Sequence, residues 1–356
     1  MSWLGGDDDD LDEAFDESDI RMRPNPKANR PRTKRRPAHA DASVARVLGV
    51  DRGRYTVLID EDGPDEHSTL AVRARELRKQ PIVTGDRARV VGDVSGDVGT
   101  LGRIVGIEPR ATLLRRSADD TDQVERIVVA NADQMVIVVA AAYPEPRPRL
   151  VDRYLIAALD AGIHPLLVVT KTDLADPTSF LAHFEGVDDL EVLTSGRGRM
   201  PVAELGARLV GHATVFVGHS GVGKSTLVNA LVPTAERATG HVNEVTGRGR
   251  HTSSSTVSLR YVGDDGRGWV IDTPGVRSFG LGHVDPANIL AAFTDLAAAA
   301  EECPRGCTHL PDAPDCAIMD AVAAGRLGDR GPARLDSLQR LLGTFSRDPG
   351  AAGRSS

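Results

Sequence analysis

The stretch that decides the fold is ATVFVGHSGVGKSTLVNAL, residues 213–231, in which an apolar run, a glycine-rich turn and a helical pattern follow one another directly. The apolar run is long enough for a buried strand, and the apolar residues after the turn recur at helical spacing. A strand that passes through such a turn into a helix is typical of parallel α/β sheets. We therefore expect an α/β domain built around this stretch.

The turn has the spacing G-x-x-x-x-G-K-S, which is specific for a phosphate-binding loop when it lies between a strand and a helix. Its backbone N–H groups can surround phosphate oxygens, helped by the N-terminus of the following helix. Lys224 would reach the β- and γ-phosphates, and the Ser225 hydroxyl would ligate Mg²⁺. A chance glycine-rich turn is the alternative, which the agreement of strand, spacing and helix disfavours. The predicted phosphate-binding residues are Gly218, His219, Ser220, Gly221, Val222, Gly223, Lys224, Ser225 and Thr226.

The surrounding sequence, from 111 to 284, alternates between strand and helix patterns. The helical patterns include LVDRYLIAALDAG and GKSTLVNALV. This alternation predicts a doubly wound, mainly parallel sheet, with its ligand at the carboxyl ends of the strands. The predicted strands are MVIVVAA (135–141), PLLVVT (165–170), LEVLTS (190–195), ATVFVG (213–218), SLRYVG (258–263) and GWVIDT (268–273).

A base-binding loop is predicted where Thr170, Lys171, Thr172 and Asp173 end an apolar run. The four residues resemble the NKxD loop that reads guanine in GTPases. Asp173 can accept two hydrogen bonds, from N1–H and the 2-amino group of guanine. Adenine lacks both donors, so it would leave the carboxylate unpaired. An unpaired buried carboxylate costs on the order of a few kcal/mol. Lys171 would lie along the base plane, and Thr170, in place of the usual Asn, can brace the loop.

A companion loop is predicted in LTSGRG, where Ser195 and Gly196 follow a strand and would lie beneath the guanine O6. By itself this match is weak. Together with the preceding loop it favours a GTPase over a P-loop ATPase or kinase.

The predicted Mg²⁺ and γ-phosphate groups follow the apolar strand in GWVIDTPG. Asp272 would hold Mg²⁺, usually through water, and the Gly275 amide would sense the γ-phosphate. Upstream lies GRGRHTSSS, residues 247–255, a polar segment without periodicity that we interpret as a switch loop. Thr252 is our first choice for the second hydroxyl on Mg²⁺, and Ser253 is its competitor, because spacing does not separate them.

A metal site is predicted in CPRGCTHLPDAPDC, which contains all three cysteines of the chain. Cys303, Cys307, His309 and Cys316 have the spacing C-x₃-C-x-H-x₆-C. Three thiolates and an imidazole make a closed tetrahedral set suited to structural Zn²⁺. Free thiols in a cytosolic loop are the alternative. We expect the metal to hold together a small domain with little core.

The N-terminus divides into two oppositely charged segments. Residues 1–20 carry nine carboxylates and no Lys or Arg, whereas residues 21–40 carry eight Lys and Arg and no acid. Such blocks of like charge without apolar periodicity are usually disordered. An arm that contacts RNA phosphates is the functional alternative. The formal net charge of −8 shows that the body of the protein is not a generally basic nucleic-acid binder.

Residues 41–110 contain five short strand patterns with Gly, Asp and Pro between them. This spacing predicts a small antiparallel barrel of the OB type, which periodicity does not distinguish from another small β-barrel. The arginine-rich stretches RARELRK (73–79) and PRATLLRR (109–116) would suit an RNA backbone, and a solvated strand face is the alternative.

The base loops precede the phosphate loop, which is a circular permutation of the usual GTPase order, and the chain resembles the RsgA family of circularly permuted bacterial GTPases. The resemblance covers about residues 41–345 and rests on ANADQMVIVVAA, RYLIAALDAGIHPLLVVTKTDL, GHSGVGKSTLVNAL, GRHTSSS, DTPGVRSFGL and the Cys/His cluster. It implies an OB domain, a central GTPase and a C-terminal zinc domain. It also implies a role in late maturation of the small ribosomal subunit, with GTP hydrolysis stimulated by that subunit.

The resemblance also points to a residue that orients the attacking water. A Ras-type enzyme has a glutamine just after DxxG, whereas this chain has Val276, whose apolar side chain cannot orient water. The family pattern indicates His251 of the switch loop instead, and a solvent-exposed histidine is the alternative. The predicted catalytic set is His251, Lys224 and Thr252.

The expected architecture is therefore multidomain. It comprises a disordered acidic and basic tail (1–40), an OB-type β-barrel that binds RNA (41–110), a circularly permuted α/β P-loop GTPase domain (111–284), a zinc-binding helical domain (285–345) and a disordered end (346–356). The expected cofactors are GTP/GDP, Mg²⁺ and one structural Zn²⁺.

The expected partners are the small ribosomal subunit and its rRNA. No apolar run reaches the ~18 residues that a membrane span needs, so we expect a cytoplasmic protein. We also expect it to be a monomer in solution. A nucleotide-gated rRNA-binding module with incidental hydrolysis is the alternative function.

Overall fold

The computed structural model describes residues 39–77, 80–117, 125–187, 190–233, 256–273, 279, 281 and 283–346. The predictions for residues 1–38, for the switch loop at 247–255 and for residues 347–356 lie outside these ranges. So does Gly275. The predicted domain boundaries stay predictions, because the described residues after position 40 belong to one contact-connected unit.

The N-terminal part is a closed barrel of five strands, as the sequence predicted. The strands follow the order β1-β2-β3-β5-β4, and β4 pairs with β1 to close the barrel. The pairing of β3 with β5 is parallel, and the other pairings in the barrel are antiparallel. Its interior includes Val47, Val57, Ala71 and Ile104, none of which is exposed. The strands are β1 (Ser43–Asp51), β2 (Arg54–Ile59), β3 (His67–Arg73), β4 (Arg87–Gly92) and β5 (Gly102–Ile107).

A separate two-stranded hairpin follows the barrel and was not predicted. It consists of β6 (Leu113–Ser117) and β7 (Glu125–Ala130). The register of the pairing shifts between Leu114 and Arg115. Leu114 and Val129 are buried, and so this hairpin has a small apolar side.

The mainly parallel sheet is confirmed in the order β10-β9-β8-β11-β13-β12, in which only the β12–β13 pairing is antiparallel. A single residue pair, Gly49 with Val257, joins β1 of the barrel to β12. The barrel and the parallel sheet therefore form one continuous sheet. The strands are β8 (Gln134–Ala140), β9 (His164–Thr170), β10 (Glu191–Thr194), β11 (Ala213–Val217), β12 (Val257–Gly263) and β13 (Gly266–Asp272).

Helices cover both faces of the parallel sheet, and β8 illustrates why this is required. All seven of its residues are buried. Met135 and Ile137 pack into the core on one face, and Val136 and Val138 pack into the core on the other. A strand that is apolar on both sides needs cover on both sides. The α-helices of the described residues are α1 (Pro148–Asp160), α2 (Thr178–Leu181), α3 (Val202–Leu209), α4 (Lys224–Leu231), α5 (Pro286–Ala291), α6 (Thr294–Ala300), α7 (Ala317–Ala323) and α8 (Gly331–Ser346).

The C-terminal helices share the core of the parallel sheet. Ile289, Phe293, Leu296 and Leu341 belong to the same buried cluster as Leu155 of α1. The sequence predicted a small domain with little core, whereas these helices complete a larger one. Among the described residues, no helix is both long and apolar enough to cross a membrane.

Candidate functional site

The phosphate loop lies between β11 and α4, at the carboxyl end of the sheet. Gly223 precedes the first residue of α4 with φ = 95°, a left-handed conformation that favours glycine. At Gly218, an added Cβ would lie 2.5 Å from the backbone oxygen of Val138. The sequence therefore places glycine where the loop turns into the helix and where it passes the neighbouring strand.

The base loop braces the phosphate loop through two side chains. The buried Thr170 hydroxyl donates to the carbonyl of Val222, and it also lies 3.2 Å from the carbonyl of Val139. Lys171 Nζ donates to the carbonyl of Gly221 at 2.8 Å. The predicted bracing role of Thr170 is thus consistent with its contacts, because its single hydroxyl joins the two loops directly.

One contact of the base loop was not predicted from the sequence. Lys171 Nζ also donates to the carbonyl of Tyr143, which lies in the segment between β8 and α1. An added Cβ at Gly221 would lie 3.9 Å from Pro144 Cδ. The segment AAYPEPR (141–147) therefore lies against both loops, and only its prolines could have signalled an ordered turn there.

The two predicted base loops lie side by side. The amide of Thr172 donates to the carbonyl of Ser195 at 3.2 Å, and an added Cβ at Gly196 would lie 3.0 Å from Thr172 Oγ1. The amide of Arg197 donates to Asp173 Oδ1 at 2.9 Å. Each carboxylate oxygen has two acceptor positions, so this anchored carboxylate, which is exposed, keeps capacity for a ligand.

The predicted Mg²⁺ ligands lie beside the predicted phosphate-binding lysine. Lys224 Nζ donates to Asp272 Oδ1, and both side chains are largely buried. Ser225 is exposed in the first turn of α4. The Thr273 hydroxyl donates to the carbonyl of Phe216 at 2.7 Å, which ties the residue after β13 to β11. Oxygen donors of this kind are the ligands that Mg²⁺ prefers, so the residues present fit the ion.

Four predicted residues lie outside the described part of the chain. They are His251, Thr252, Ser253 and Gly275. The structure does describe the residues next to the switch loop. The carbonyl of Thr256 accepts from the Thr84 hydroxyl of the barrel at 3.1 Å, and Val257 is the cross-strand partner of Asp272.

The chain beyond DTPG is held by α1. Phe279 packs edge-to-face on Tyr154 with ring centroids 5.7 Å apart, and Arg153 Nη2 donates to the Phe279 carbonyl at 3.1 Å. Asp160, the last residue of α1, accepts from the amide of Asp285 at 3.0 Å. Phe279 and Asp285, which follow DTPG in the chain, therefore both contact α1.

The predicted metal ligands come together in the C-terminal part. The ligand atoms of Cys303, Cys307, His309 and Cys316 all lie within 4.8 Å of one another. His309 Nδ1 is 3.7 Å from the sulfur of Cys303 and 3.7 Å from that of Cys316, and these two sulfurs are 4.0 Å apart. Zinc–sulfur bonds of ~2.3 Å place tetrahedral ligands ~3.8 Å apart. The four groups could therefore hold Zn²⁺.

The protonation states of this cluster follow from its burial. Burial raises the pKa of the Cys316 thiol to about 11, although the amides of Met319 and Ile318 act in the opposite direction. Burial lowers the pKa of His309, which favours the neutral imidazole that binds metals. A coordinating thiol is deprotonated outright by its metal, so a divalent cation suits the buried Cys316.

Comparison with known proteins gives consistent results. A family model described as RsgA GTPase matches residues 107–282. The small ribosomal subunit biogenesis GTPase RsgA 1 of Vibrio vulnificus is 36% identical over 293 residues, which is 80% of this chain and 80% of the relative. The small ribosomal subunit biogenesis GTPase RsgA of Pseudomonas syringae pv. tomato is 39% identical over 277 residues, or 75% of this chain and 76% of the relative.

Two solved structures share the fold. YjeQ from Thermotoga maritima has a TM-score of 0.59 and 25% sequence identity, covering 85% of this chain and 99% of that chain. YloQ, described as a circularly permuted GTPase, has a TM-score of 0.58 and 23% identity, covering 85% and 96%. About a seventh of this chain is left uncovered by the first of these two matches.

Proposed function

Because the chain belongs to the RsgA GTPase family and is a GTP-hydrolysing enzyme, we propose that it binds the small ribosomal subunit during late maturation and hydrolyses GTP there. In this proposal the subunit stimulates turnover, and hydrolysis to GDP and phosphate releases the protein. The proposal rests on the relatives, whose names place them in small-subunit biogenesis, and on the geometry of the site.

The observation that carries the proposal is the contact between the base loop and the phosphate loop. Thr170 and Lys171 bond to the carbonyls of Val222 and Gly221, and Asp173 lies beside the Ser195–Gly196 loop. A ligand that fills this site would present its phosphates to one loop and its base to the other. The anchored carboxylate of Asp173 selects guanine, because only guanine offers two donors to it.

Each residue then has a defined role. The amides of residues 218–226 cradle the phosphates, and Lys224 exchanges its contact with Asp272 for the β- and γ-phosphate oxygens. Ser225, Asp272 and Thr252 would hold Mg²⁺, with Ser253 as the alternative to Thr252. The ion supplies charge neutralisation at the phosphates when it is bound. The Gly275 amide senses the γ-phosphate.

His251 is the residue that we assign to the attacking water. Val276 has no polar group at the position of the Ras-type glutamine, and His251 lies in the switch segment that precedes Thr256. An imidazole can accept a proton or a hydrogen bond from water near neutral pH. His251 and Thr252 complete the catalytic set with Lys224.

The C-terminal cluster and the barrel serve attachment rather than chemistry. Cys303, Cys307, His309 and Cys316 would hold one structural Zn²⁺, because all four positions of a tetrahedral site are filled by the protein. The barrel would contact rRNA, as OB-type barrels commonly bind nucleic acid. We further propose that the protein acts as a cytoplasmic monomer.

The test is co-sedimentation with purified small and large ribosomal subunits in the presence of a non-hydrolysable GTP analogue or GDP. We expect binding to small subunits with the analogue and release with GDP. Asp173→Asn, which should lose guanine recognition, is the matched control with intact phosphate-loop residues. Equal binding in both nucleotide states, or binding to large subunits only, would contradict the proposal.

A further inference from the structure

Five side chains form a charged junction between the barrel and the β12–β13 hairpin: Arg46, Glu61 and Arg87 from the barrel, and Arg260 and Trp269 from the hairpin. Glu61 is the centre of this junction. Its side chain is only 10% exposed, although it is a carboxylate in a loop. A buried carboxylate is stable only when it is paired and hydrogen-bonded.

Glu61 accepts hydrogen bonds from both parts of the molecule. Its Oε1 accepts from Arg46 Nε at 2.9 Å and from Trp269 Nε1 at 2.7 Å. Its Oε2 accepts from Arg87 Nη1. Arg260 Nη1 lies 3.7 Å from Oε1 as well. One carboxylate thus joins two arginines of the barrel to the tryptophan and an arginine of the hairpin.

Trp269 is held by charge as well as by its N–H group. The guanidinium carbons of Arg46 and Arg260 lie 4.8 Å and 4.6 Å from the centroid of its ring, within the range of cation–π attraction. Arg260 also bonds to Asp62 and lies 3.2 Å from Glu66. The apolar contribution at this point is small, because among the described residues the buried cluster around Trp269 contains only Leu58 and Ala213, with Leu48 packed against it.

The register of the hairpin connects this junction to the proposed hydrolytic site. Arg260 of β12 and Trp269 of β13 are cross-strand partners. Three residues away on each strand, Val257 and Asp272 are cross-strand partners as well. Val257 is also the residue of β12 that pairs with Gly49 of the barrel. The barrel therefore contacts the hairpin at two cross-strand pairs, and the pair Val257–Asp272 contains the proposed Mg²⁺ ligand.

We propose that Glu61, which lies outside the catalytic set of His251, Lys224 and Thr252, is a positioning residue that transmits changes between the barrel and the β12–β13 hairpin. It fixes the β12–β13 hairpin on the barrel, and so it couples the position of Asp272 to the state of the barrel. The inference rests on the proposed function for the role of Asp272 and for the stimulation by small subunits. It adds that a change in the barrel affects the nucleotide site and that a change at the nucleotide site affects the barrel, because coupling between two sites is reciprocal.

The physical basis is the free energy that would be lost if the contacts of this junction were broken. If the hairpin moved away, Glu61 would lose the Trp269 N–H group, and the buried Arg46 would lose the aromatic ring beside it. Arg46 Nη1 has no hydrogen-bond partner among the described residues, so the charge of Arg46 depends on Glu61 and on this ring. The junction therefore resists small displacements and transmits them between barrel and hairpin.

The first test uses Trp269 as a reporter. The chain has two tryptophans, Trp3 and Trp269, so the Trp3→Phe variant reports Trp269 emission alone. We expect the emission to differ between the GDP-bound protein and the protein bound to a non-hydrolysable GTP analogue. We expect Glu61→Gln in the Trp3→Phe background to abolish that difference. Glu191→Gln is the control, since Glu191 pairs with Arg208 at the opposite edge of the sheet.

The second test measures steady-state GTP turnover with and without small subunits. We expect Glu61→Gln to keep intrinsic turnover and GTP affinity within about twofold and to lower the stimulation about fivefold or more, a usual size for coupling between sites. Glu191→Gln should behave like the wild type. A purely structural role of Glu61 would lower the melting temperature and leave the stimulation and the Trp269 response unchanged.

Each outcome decides the inference. Identical Trp269 emission in the two nucleotide states overturns it, and so does an undiminished emission difference or stimulation in Glu61→Gln. If Glu61→Gln does not fold, Arg87→Gln carries the same test, because it removes only a half-exposed contact to Glu61. A wild-type protein that small subunits do not stimulate contradicts the proposed function, and the emission test, which needs no subunit, then decides the inference.

Discussion

At the scale of the residue, Thr170 shows how a substitution in a base loop can be accommodated. Its hydroxyl reaches the carbonyls of Val222 and Val139, so one short side chain ties β8, β9 and the phosphate loop together. The methyl group lies beside Gly223, where an added Cβ would be 3.7 Å from Thr170 Cγ2. The site thus needs a small side chain with a donor at this position.

We predict that Thr170→Val weakens GDP binding while Thr170→Ser does not. Valine keeps the shape but removes the donor, which should cost about 1 kcal/mol, or about fivefold in Kd. Calorimetric titration of the wild type and both variants measures the effect. Equal Kd values for the valine and serine variants would show that the hydroxyl does not position the phosphate loop.

We also predict that Asp173→Asn changes the base preference of the site from guanine towards xanthine. Xanthine carries an oxygen where guanine carries its 2-amino group, so an asparagine amide can donate to xanthine and a carboxylate cannot. GTP affinity should fall about tenfold or more, and xanthosine triphosphate should bind the variant better than the wild type. Competition of each triphosphate against a fluorescent GDP derivative measures both. If the variant and the wild type had the same affinities for GTP and for xanthosine triphosphate, Asp173 would have no role in base recognition.

At the scale of the element, helix α8 of the C-terminal part has contacts that do not involve the predicted metal site. The ligands lie in the segment 303–316, whereas Leu338 and Leu341 of α8 are buried in the core that they share with α1. Arg340 of α8 also bonds to the buried Asp152 of α1. The core and this ion pair hold α8 in place, and the metal would hold the loop.

We therefore predict that chelation of zinc increases hydrogen exchange in residues 303–316 and leaves α8 protected. The effect on 303–316 should be large, because a single structural zinc site can contribute on the order of 10 kcal/mol to local folding. Nucleotide affinity should stay within about twofold, because the phosphate and base loops lie outside this segment. Cys307→Ser should reproduce the effect without a chelator. Unchanged exchange in 303–316 after complete zinc removal would show that the cluster has no structural role.

His67 of the barrel is a second element-scale feature. Both of its ring nitrogens lie 2.6 Å from carbonyl oxygens, those of Asp65 and Val94, and only the protonated ring can donate to both of them. The bond to Val94, followed by that to Asp65, raises the pKa of His67. The ring thereby clamps the β4–β5 loop to the start of β3.

The pH dependence of this clamp follows from the sign of the shift. A group with a raised pKa in the folded state stabilises fully below its unfolded pKa of ~6.5, and the contribution is lost as pH rises through the folded pKa. We predict that residues 93–97 exchange more slowly in the wild type than in His67→Ala at pH ~5.5, and that the ratio approaches one at pH ~9. Taking the ratio at each pH cancels the intrinsic rate. A ratio that is constant across this range would contradict the clamp.

The sequence predicts local features of this fold better than distant contacts. The strands β8, β9 and β11 consist mainly of continuous apolar runs, so length and composition were sufficient to find them. The metal ligands and the phosphate loop were found because their residues are close in sequence. The pairing of Glu61 with Trp269 could not be found, because the two residues are 208 positions apart and no sequence pattern connects them.

At the scale of the whole molecule, the permuted order places both switch elements next to other parts of the chain. β12 leaves the switch loop and pairs with the barrel, and β13 leads through DTPG to α1 and the C-terminal helices. A change at the γ-phosphate can therefore reach the barrel through the β12–β13 hairpin and the C-terminal helices through Phe279. This arrangement suits an enzyme whose affinity for a large partner depends on its nucleotide.

The most direct test of this account is steady-state GTP turnover by the full-length protein alone, with small ribosomal subunits and with large ribosomal subunits. We predict stimulation of about tenfold or more by small subunits, little by large subunits, and loss of most of the stimulation in His251→Ala with GTP binding retained. Equal turnover under all three conditions would contradict a GTPase cycle governed by the small subunit.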